Sequence, residues 1–193
     1  MIDYIKGNIV EISPAHVSLE CGNIGYFINI SLNTYSALAD KTSCKLYIYE
    51  AIREDAHLLF GFLDKHERQL FLYLISVSGV GANTARMILS SYSAAELEDG
   101  IATANVAMLK SVKGIGGKTA ERVIVDLRDK VGRLSGSDAL TAKKDSSAKI
   151  EAVSALVMLG FHQSAANKVV TKLVNEDPTL PVEQIIKQAL KLL

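Results

Sequence analysis

Hydrophobic and polar positions change rhythm twice along this chain. Up to residue 63 the apolar residues come in short, partly alternating runs rich in β-branched and aromatic side chains: Gly7 to Ile12, Val17 to Cys21, Tyr26 to Ile30, Lys45 to Tyr49 and Leu58 to Phe62. Such runs predict strands, and turn chemistry separates them at Ser13-Pro14, Gly22-Asn23 and Arg53-Glu54-Asp55. From Asp64 the spacing becomes helical, through Leu70, Phe71, Leu74 and Ile75, then Met87 and Ile88, Val106 and Leu109, and Val123, Ile124 and Leu127. Asp64 and Asn105 stand where helix N-caps are needed, and Ser93 with Glu96 spells a capping box. Beyond residue 147 three further amphipathic stretches, Lys149 to Leu159, Ser164 to Val174 and Val182 to Leu193, are broken at Gly160 and at Asp177-Pro178.

These rhythms predict a multidomain chain. Residues 1–63 should form five or six short antiparallel strands closed into a small barrel of OB type, a fold that often meets nucleic acid. Residues 64–135 should be all helical. Residues 136–147, rich in Ser, Lys, Asp and Ala, have the composition of a mobile tether, and residues 148–193 should form a three-helix bundle.

Within the helical middle, one pattern occurs twice. Ser76-Val77-Ser78-Gly79-Val80-Gly81-Ala82-Asn83-Thr84-Ala85 returns 35 positions later as Ser111-Val112-Lys113-Gly114-Ile115-Gly116-Gly117-Lys118-Thr119-Ala120. Each copy lies between two helical runs, so the prediction is helix, tight Gly-hydrophobe-Gly turn, helix, twice over. Glycine permits the positive φ of a sharp turn, while Val80 and Ile115 can tuck between the helices as anchors. The second helix of each unit starts with free amides aimed outward, which favour an anion such as phosphate. The pattern resembles the helix-hairpin-helix family, which holds the nucleic-acid backbone without reading bases. A single Gly-x-Gly turn often serves packing alone; duplication at matched offsets is what favours function. Candidate DNA contacts are Gly79, Val80, Gly81, Asn83 and Arg86 in the first unit. In the second they are Gly114, Ile115, Gly116, Gly117, Lys118, Thr119 and Arg122, with Lys118 and Arg122 four apart on one helix face.

Gly117-Lys118-Thr119 also looks like the end of a nucleotide-binding P-loop. That motif needs Gly where Val112 stands, and a preceding strand where this chain predicts helix, so nucleotide binding is not expected.

Charge sharpens the picture. The chain has 193 residues with 21 Lys/Arg and 21 Asp/Glu, but the balance is uneven. Residues 1–64 hold 4 basic against 8 acidic side chains, and residues 65–135 hold 10 against 7. Positive charge is in excess where the paired turns lie, as phosphate contacts require. The acidic barrel needs a different task. Its Arg53-Glu54-Asp55-Ala56 turn is either a solvated hairpin tip or a means of presenting Glu54 and Asp55 to a polyanion, to repel strands and hold them apart. Cys21 and Cys44 lie in predicted strands and are expected to be buried thiols; two Cys and four scattered His give no metal spacing, and no cofactor is expected. No run approaches membrane-spanning length, and the cytoplasm is the expected location.

In the last segment, Met158-Leu159-Gly160-Phe161 resembles the loop of ubiquitin-associated three-helix bundles. Leu156, Leu159 and Leu190 either complete a small core or leave an apolar face for a partner.

Taken together, the acidic turn within Arg53 to Phe62, the paired Gly79-Val80-Gly81 and Gly114-Ile115-Gly116 hairpins and the tethered Leu-Gly-Phe bundle resemble the RuvA family over essentially the whole chain. Arg53-Glu54-Asp55-Ala56 and the run from Gly114 to Arg122 are the most specific matches. The resemblance implies a non-catalytic, fourfold-symmetric tetramer that holds a four-way Holliday junction open on a flat face, sometimes with a second tetramer closing over it. Hairpin pairs would grip the arms by their phosphates, and Glu54 and Asp55 would meet near the crossover as a pin. The carboxy-terminal bundle would dock the hexameric ATPase motor RuvB, which drives branch migration in recombination and repair; a junction-resolving nuclease is a further implied partner. Family members often carry Lys near Asn83, so the first hairpin here should contribute less charge, partly offset by Arg86.

Two rival functions share the hairpins. A helix-hairpin-helix DNA glycosylase or lyase would need a Gly/Pro-rich loop and a catalytic Asp after the hairpin, but here helix continues from Thr119 through Asp126, and Asp126 and Asp129 read as surface charges. An accessory module of a repair nuclease would leave the acidic turn unexplained.

Overall fold

The structure, a computed structural model, describes residues 1–135 and 144–193, with side chains up to Val131 and from Ala148. The tether assigned to 136–147 falls outside the described residues as far as 143, and helix already runs from Lys144. The chain divides into two compact units, Met1–Gly136 and Ser137–Leu193.

The first unit begins with strands β1 (Tyr4–Ser13), β2 (His16–Cys21), β3 (Ile24–Asn29), β4 (Ser43–Ile52) and β5 (His57–Phe62), closed into a barrel in the order β1-β2-β3-β5-β4. Inward-facing Ile5, Val17, Leu19, Ile28, Leu46, Ile48 and Leu59 fill it. The expectation of wholly antiparallel pairing fails at one seam, where β3 and β5 run parallel, Ile28 opposite Leu59 and Asn29 opposite Phe60. The reason is parity: strands around a ring can alternate in direction throughout only if their number is even, and this ring has five.

Two further expectations need correcting in the barrel. A short helix, α1 (Leu32–Leu38), is not apparent from its apolar spacing; Ser31 caps it, accepting from the Thr34 amide at 3.1 Å. The cysteines are free, but Cys21 is exposed and Cys44 only half-buried. Cys21 shares a strand face with buried Val17 and Leu19, yet it stands at the end of β2 opposite Ile24, beyond the barrel interior, where Gly22 and Asn23 make the hairpin with positive φ.

The helical part of this unit comprises α2 (Lys65–Ile75), α3 (Ala82–Ser91), α4 (Ala94–Ala102), α5 (Val106–Lys110) and α6 (Gly117–Ser135). Its caps follow the sequence signals. Asp64 accepts from the Glu67 amide at 2.8 Å, Asn105 from Met108 at 3.0 Å, and Ser93 and Glu96 form the capping box. One continuous core joins these helices to the barrel, because Phe60 and Phe62 of β5 pack against Phe71 of α2 with ring centroids 5.5 and 4.8 Å away.

Glu67 crosses this seam. One carboxylate oxygen accepts from Ser31 Oγ at 3.1 Å and the other from the Leu63 amide at 3.1 Å, with Thr34 Oγ1 at 3.5 Å. Burial outweighs these hydrogen bonds and raises the Glu67 pKa. The folded state therefore keeps its proton to higher pH than the unfolded chain does. Stability is lost as pH rises from the ordinary glutamate value through the raised one, and the penalty is complete above it. Glu67→Gln, which retains an acceptor for Leu63 and offers donors to the two hydroxyls, should raise the melting temperature relative to wild type at neutral pH. That gain should vanish below the ordinary glutamate range in melting curves taken against pH.

The second unit contains α7 (Lys144–Met158), α8 (Gln163–Glu176) and α9 (Val182–Ala189) around Ala152, Leu156, Ala166, Val170, Leu173, Ile185 and Ala189. Gly160, at φ +101°, ends α7, and the Phe161 amide returns to the Leu156 carbonyl at 3.1 Å, closing the last turn.

Candidate nucleic-acid interface

The sequence repeat becomes a repeated hydrogen-bond pattern. After α2, the Ser76 amide returns to the Leu72 and Tyr73 carbonyls, Val77 to Leu74, and Val80 to Val77; after α5, Ser111 returns to Ala107 and Met108, Val112 to Leu109, and Ile115 to Val112. Gly79 and Gly114 then take φ +94° and +92°, a region costly for any residue with a Cβ. Val80 and Ile115 are buried at 5% and 6% exposure, so they anchor the turns from within and present only backbone outward.

Next come the two helix starts, α3 after Gly81 and α6 after Gly116. Helices α2, α4 and α5 spend their N-terminal amides on Asp64, Ser93 and Asn105 side chains, whereas Gly81 makes no side-chain cap and Gly116 has no side chain to offer. The amides at these two helix ends are thus left for an external acceptor. Gly79, Gly81, Gly114 and Gly116 are exposed, and a Cβ at Gly81 or Gly116 would meet nothing within 4 Å.

The turns are also arranged about each other. A methyl group at Gly79 would stand 3.6 Å from Thr119 Oγ1 at the start of α6, and one at Gly114 would stand 3.8 Å from Met87 Cε on α3. Arg122 donates from Nη1 to the Ser78 carbonyl at 3.3 Å, tying α6 to the first turn while the residue stays exposed. The two cradles therefore form one surface.

Their cations are not equivalent. By the 35-residue offset Lys118 corresponds to Asn83 and Lys113 to Ser78, and all four are exposed. Lys113 is absent from the candidates that sequence reasoning selects; aligning the copies residue by residue would have found it. Arg86 differs from expectation. Its Nη1 donates to the Ala15 carbonyl at 2.8 Å and approaches Asn29 Oδ1 at 3.4 Å, so the guanidinium faces the barrel, and desolvation draws its pKa down. Its Nη1 is thus committed to the barrel, whereas Lys118 of the second hairpin stays exposed.

The acidic turn lies at the tip of β4 and β5, closed by the Arg53 amide on the Ala56 carbonyl at 2.8 Å, with Glu54 and Asp55 exposed. A groove of about 410 Å³ separates its stalk, including Ile52 and Arg53, from Val80, Gly81 and Ala82 of the first hairpin.

In the second unit the three leucines part company. Leu156 is fully buried and belongs to the core, so its place in a partner surface is corrected. It lies on the inward face of α7 with Ala152. Leu159 and Leu190 are 60% and 43% exposed, and Met158 beside Leu159 is 89% exposed. Asp126 and Asp129 are exposed on α6, and among the described residues no group of His, Cys, Asp and Glu could hold a metal ion.

Fold and site define a tandem helix-hairpin-helix protein built on an OB-type barrel, with a separate helical carboxy-terminal domain. Family models agree along the chain: the RuvA N terminal domain matches residues 1–61, the SAM-like helix-hairpin-helix tandem residues 71–129, and the RuvA C-terminal domain residues 148–193. Proteins named Holliday junction branch migration complex subunit RuvA are 56% identical in Bacteroides fragilis, over 99% of both chains, and 58% identical in Azobacteroides pseudotrichonymphae, over 100% of both. The Flavobacterium psychrophilum protein of that name is 46% identical over 99% of each. The chain belongs to the RuvA family.

Proposed function

We propose that this protein binds four-way Holliday junctions as a non-catalytic homotetramer and holds them open for branch migration by a RuvB-type ATPase. The observation that carries this reading is the surface of two uncapped helix starts behind Gly79 and Gly114, flanked by Lys113, Lys118 and Arg122. Main-chain amides and lysines contact phosphates and not bases, so binding is indifferent to sequence and the arms can slide. Glu54 and Asp55, exposed on their turn, repel the strands at the crossover and keep duplex from passing through unseparated. Exposed Met158, Leu159 and Leu190 supply the apolar side chains for docking the motor, and the name 'complex subunit' borne by the relatives supports a partner of some kind.

Competition gel shifts between a four-way junction and linear duplex of equal length test the reading. The junction should be preferred by roughly tenfold or more, whatever its sequence, with affinity falling steeply as salt rises. Equal affinity for the two DNAs would remove the junction reading. In the same assay Glu54→Gln/Asp55→Asn should bind at least as tightly as wild type while slowing motor-driven strand separation; unaltered separation would remove the pin.

A further inference from the structure

The first hairpin and the acidic turn must be held at a set angle if both are to meet one junction; a groove of about 410 Å³ lies between Arg53 and Gly81, beside a core to which Tyr49, Ala51 and Val80 all belong. Apolar packing alone leaves their angle less sharply defined than directional polar contacts do. The structure supplies these along one side of α3. Arg86 donates to the Ala15 carbonyl in the β1–β2 turn at 2.8 Å and meets Asn29 Oδ1 at 3.4 Å; Asn29 Nδ2 in turn donates to the Leu59 carbonyl at 3.0 Å. Leu59 belongs to β5, the strand that issues from the acidic turn, and faces Ile28 at the parallel seam closing the barrel. One helical turn on, Ser90 Oγ donates to the Arg86 carbonyl at 2.8 Å and accepts from the Leu32 amide at 3.1 Å. Asn33 then donates to the Leu89 and Tyr92 carbonyls at 2.7 and 3.1 Å, holding the end of α3.

These hydrogen bonds make a continuous path from the acidic turn through β5, Asn29 and Arg86 to the helix that carries the first cradle. The second hairpin joins the same frame through the first, by Arg122 on the Ser78 carbonyl and by α6 packing on α2, α4 and α5. We infer that Arg86 is a positioning residue: it sets the first hairpin's phosphate cradle relative to the acidic turn and thereby fixes the preference for junction over duplex. Both bonds leave one nitrogen, Nη1, whose two hydrogens are fixed in the guanidinium plane and so set the angle between the Ala15 carbonyl and Asn29 Oδ1, whereas a lysine ammonium turns freely on its stem. The division of labour also accounts for the unequal hairpins. The first has its cation turned to the barrel for register, and the second keeps Lys113 and Lys118 exposed for grip.

This inference rests on the junction reading, and the test separates the two. Dissociation constants for junction and duplex are measured against salt for wild type, Arg86→Gln, Arg86→Lys and Asn29→Ala. Positioning predicts that all three variants lose roughly tenfold in junction-over-duplex preference, the size expected when a hydrogen bond to a charged group is removed, while retaining duplex affinity and the wild-type salt slope. Asn29→Ala repeats the effect without removing charge and guards against misfolding of an Arg86 variant. A direct role in gripping phosphate predicts the opposite. Arg86→Gln would then flatten the slope by ~0.9 for each phosphate it no longer neutralises, and Arg86→Lys would restore it; that result overturns the inference. A wild-type preference that survives undiminished in Arg86→Gln and Asn29→Ala also overturns it and leaves the junction reading standing. Equal binding of the two DNAs by wild type overturns both.

Discussion

Replacing Lys118 by alanine should weaken junction binding on the order of a hundredfold at moderate salt, and Asn83→Ala at the matching position by severalfold at most. Both residues stand at the start of a helix behind a positive-φ glycine, exposed, and the turns before them share their hydrogen bonds. The pair is therefore an internal control in which backbone geometry is held constant and only the charge differs. Each phosphate neutralised by a lysine releases condensed counterion, and removing that lysine should lower the slope of log affinity against log salt by ~0.9 for each subunit that meets an arm. In the proposed tetramer the deficit would recur in every subunit that meets an arm, which is why one substitution should have so large an effect. Asn83 has no charge to lose, and its amide cradle remains. Titrations at several salt concentrations decide the matter: equal slopes for Lys118→Ala and wild type would show that the second hairpin does not grip phosphate through this side chain.

The second large effect is expected in the carboxy-terminal unit. Leu156→Ala should cost about 2–5 kcal/mol, because a wholly buried leucine leaves a cavity among Ala152, Val170 and Ile185 that small neighbours cannot fill. A unit of this size commands only several kcal/mol in all, so the variant should populate an unfolded carboxy-terminal domain. Leu159→Ala, at a position 60% exposed, should change stability by no more than about 0.5 kcal/mol. Hydrogen exchange over residues 148–193 of the full chain should thus lose protection in Leu156→Ala and keep it in Leu159→Ala. Motor-stimulated branch migration should fall in both, and junction binding in neither. Undiminished coupling in Leu159→Ala would mean that the motor docks on another face.

Much of this was legible in the residues because it depends on local chemistry. A glycine pair at a 35-residue repeat, caps at Asp64, Ser93 and Asn105, and period-two strands each act within a few residues, and each appears at its expected place. Helix α1 escaped because its signal is one Ser31 cap before only seven residues, whose buried positions are Leu38 and the polar Thr34. The parallel seam escaped because it follows from closing an odd ring, a property of the whole barrel and of no segment in it. Leu156 and Leu159 are both leucines near the end of one helical run. Three positions along a helix is enough to separate core from solvent when α7 ends between them and the chain turns at Gly160.

Arg86 marks the same boundary most clearly. Sequence spacing put it one turn into the helix after the first hairpin, and at that level a guanidinium near a phosphate cradle has an obvious use. What places it elsewhere is the distance across the fold to Ala15 and Asn29, 71 and 57 residues away in the chain. Backbone conformation, capping and the phosphate-binding turns are short-range, and the order of residue types is enough to specify them. The direction of a long side chain, the burial of one leucine over its neighbour and the angle between the hairpins and the acidic turn are long-range, and they follow only from how the barrel and helices pack together.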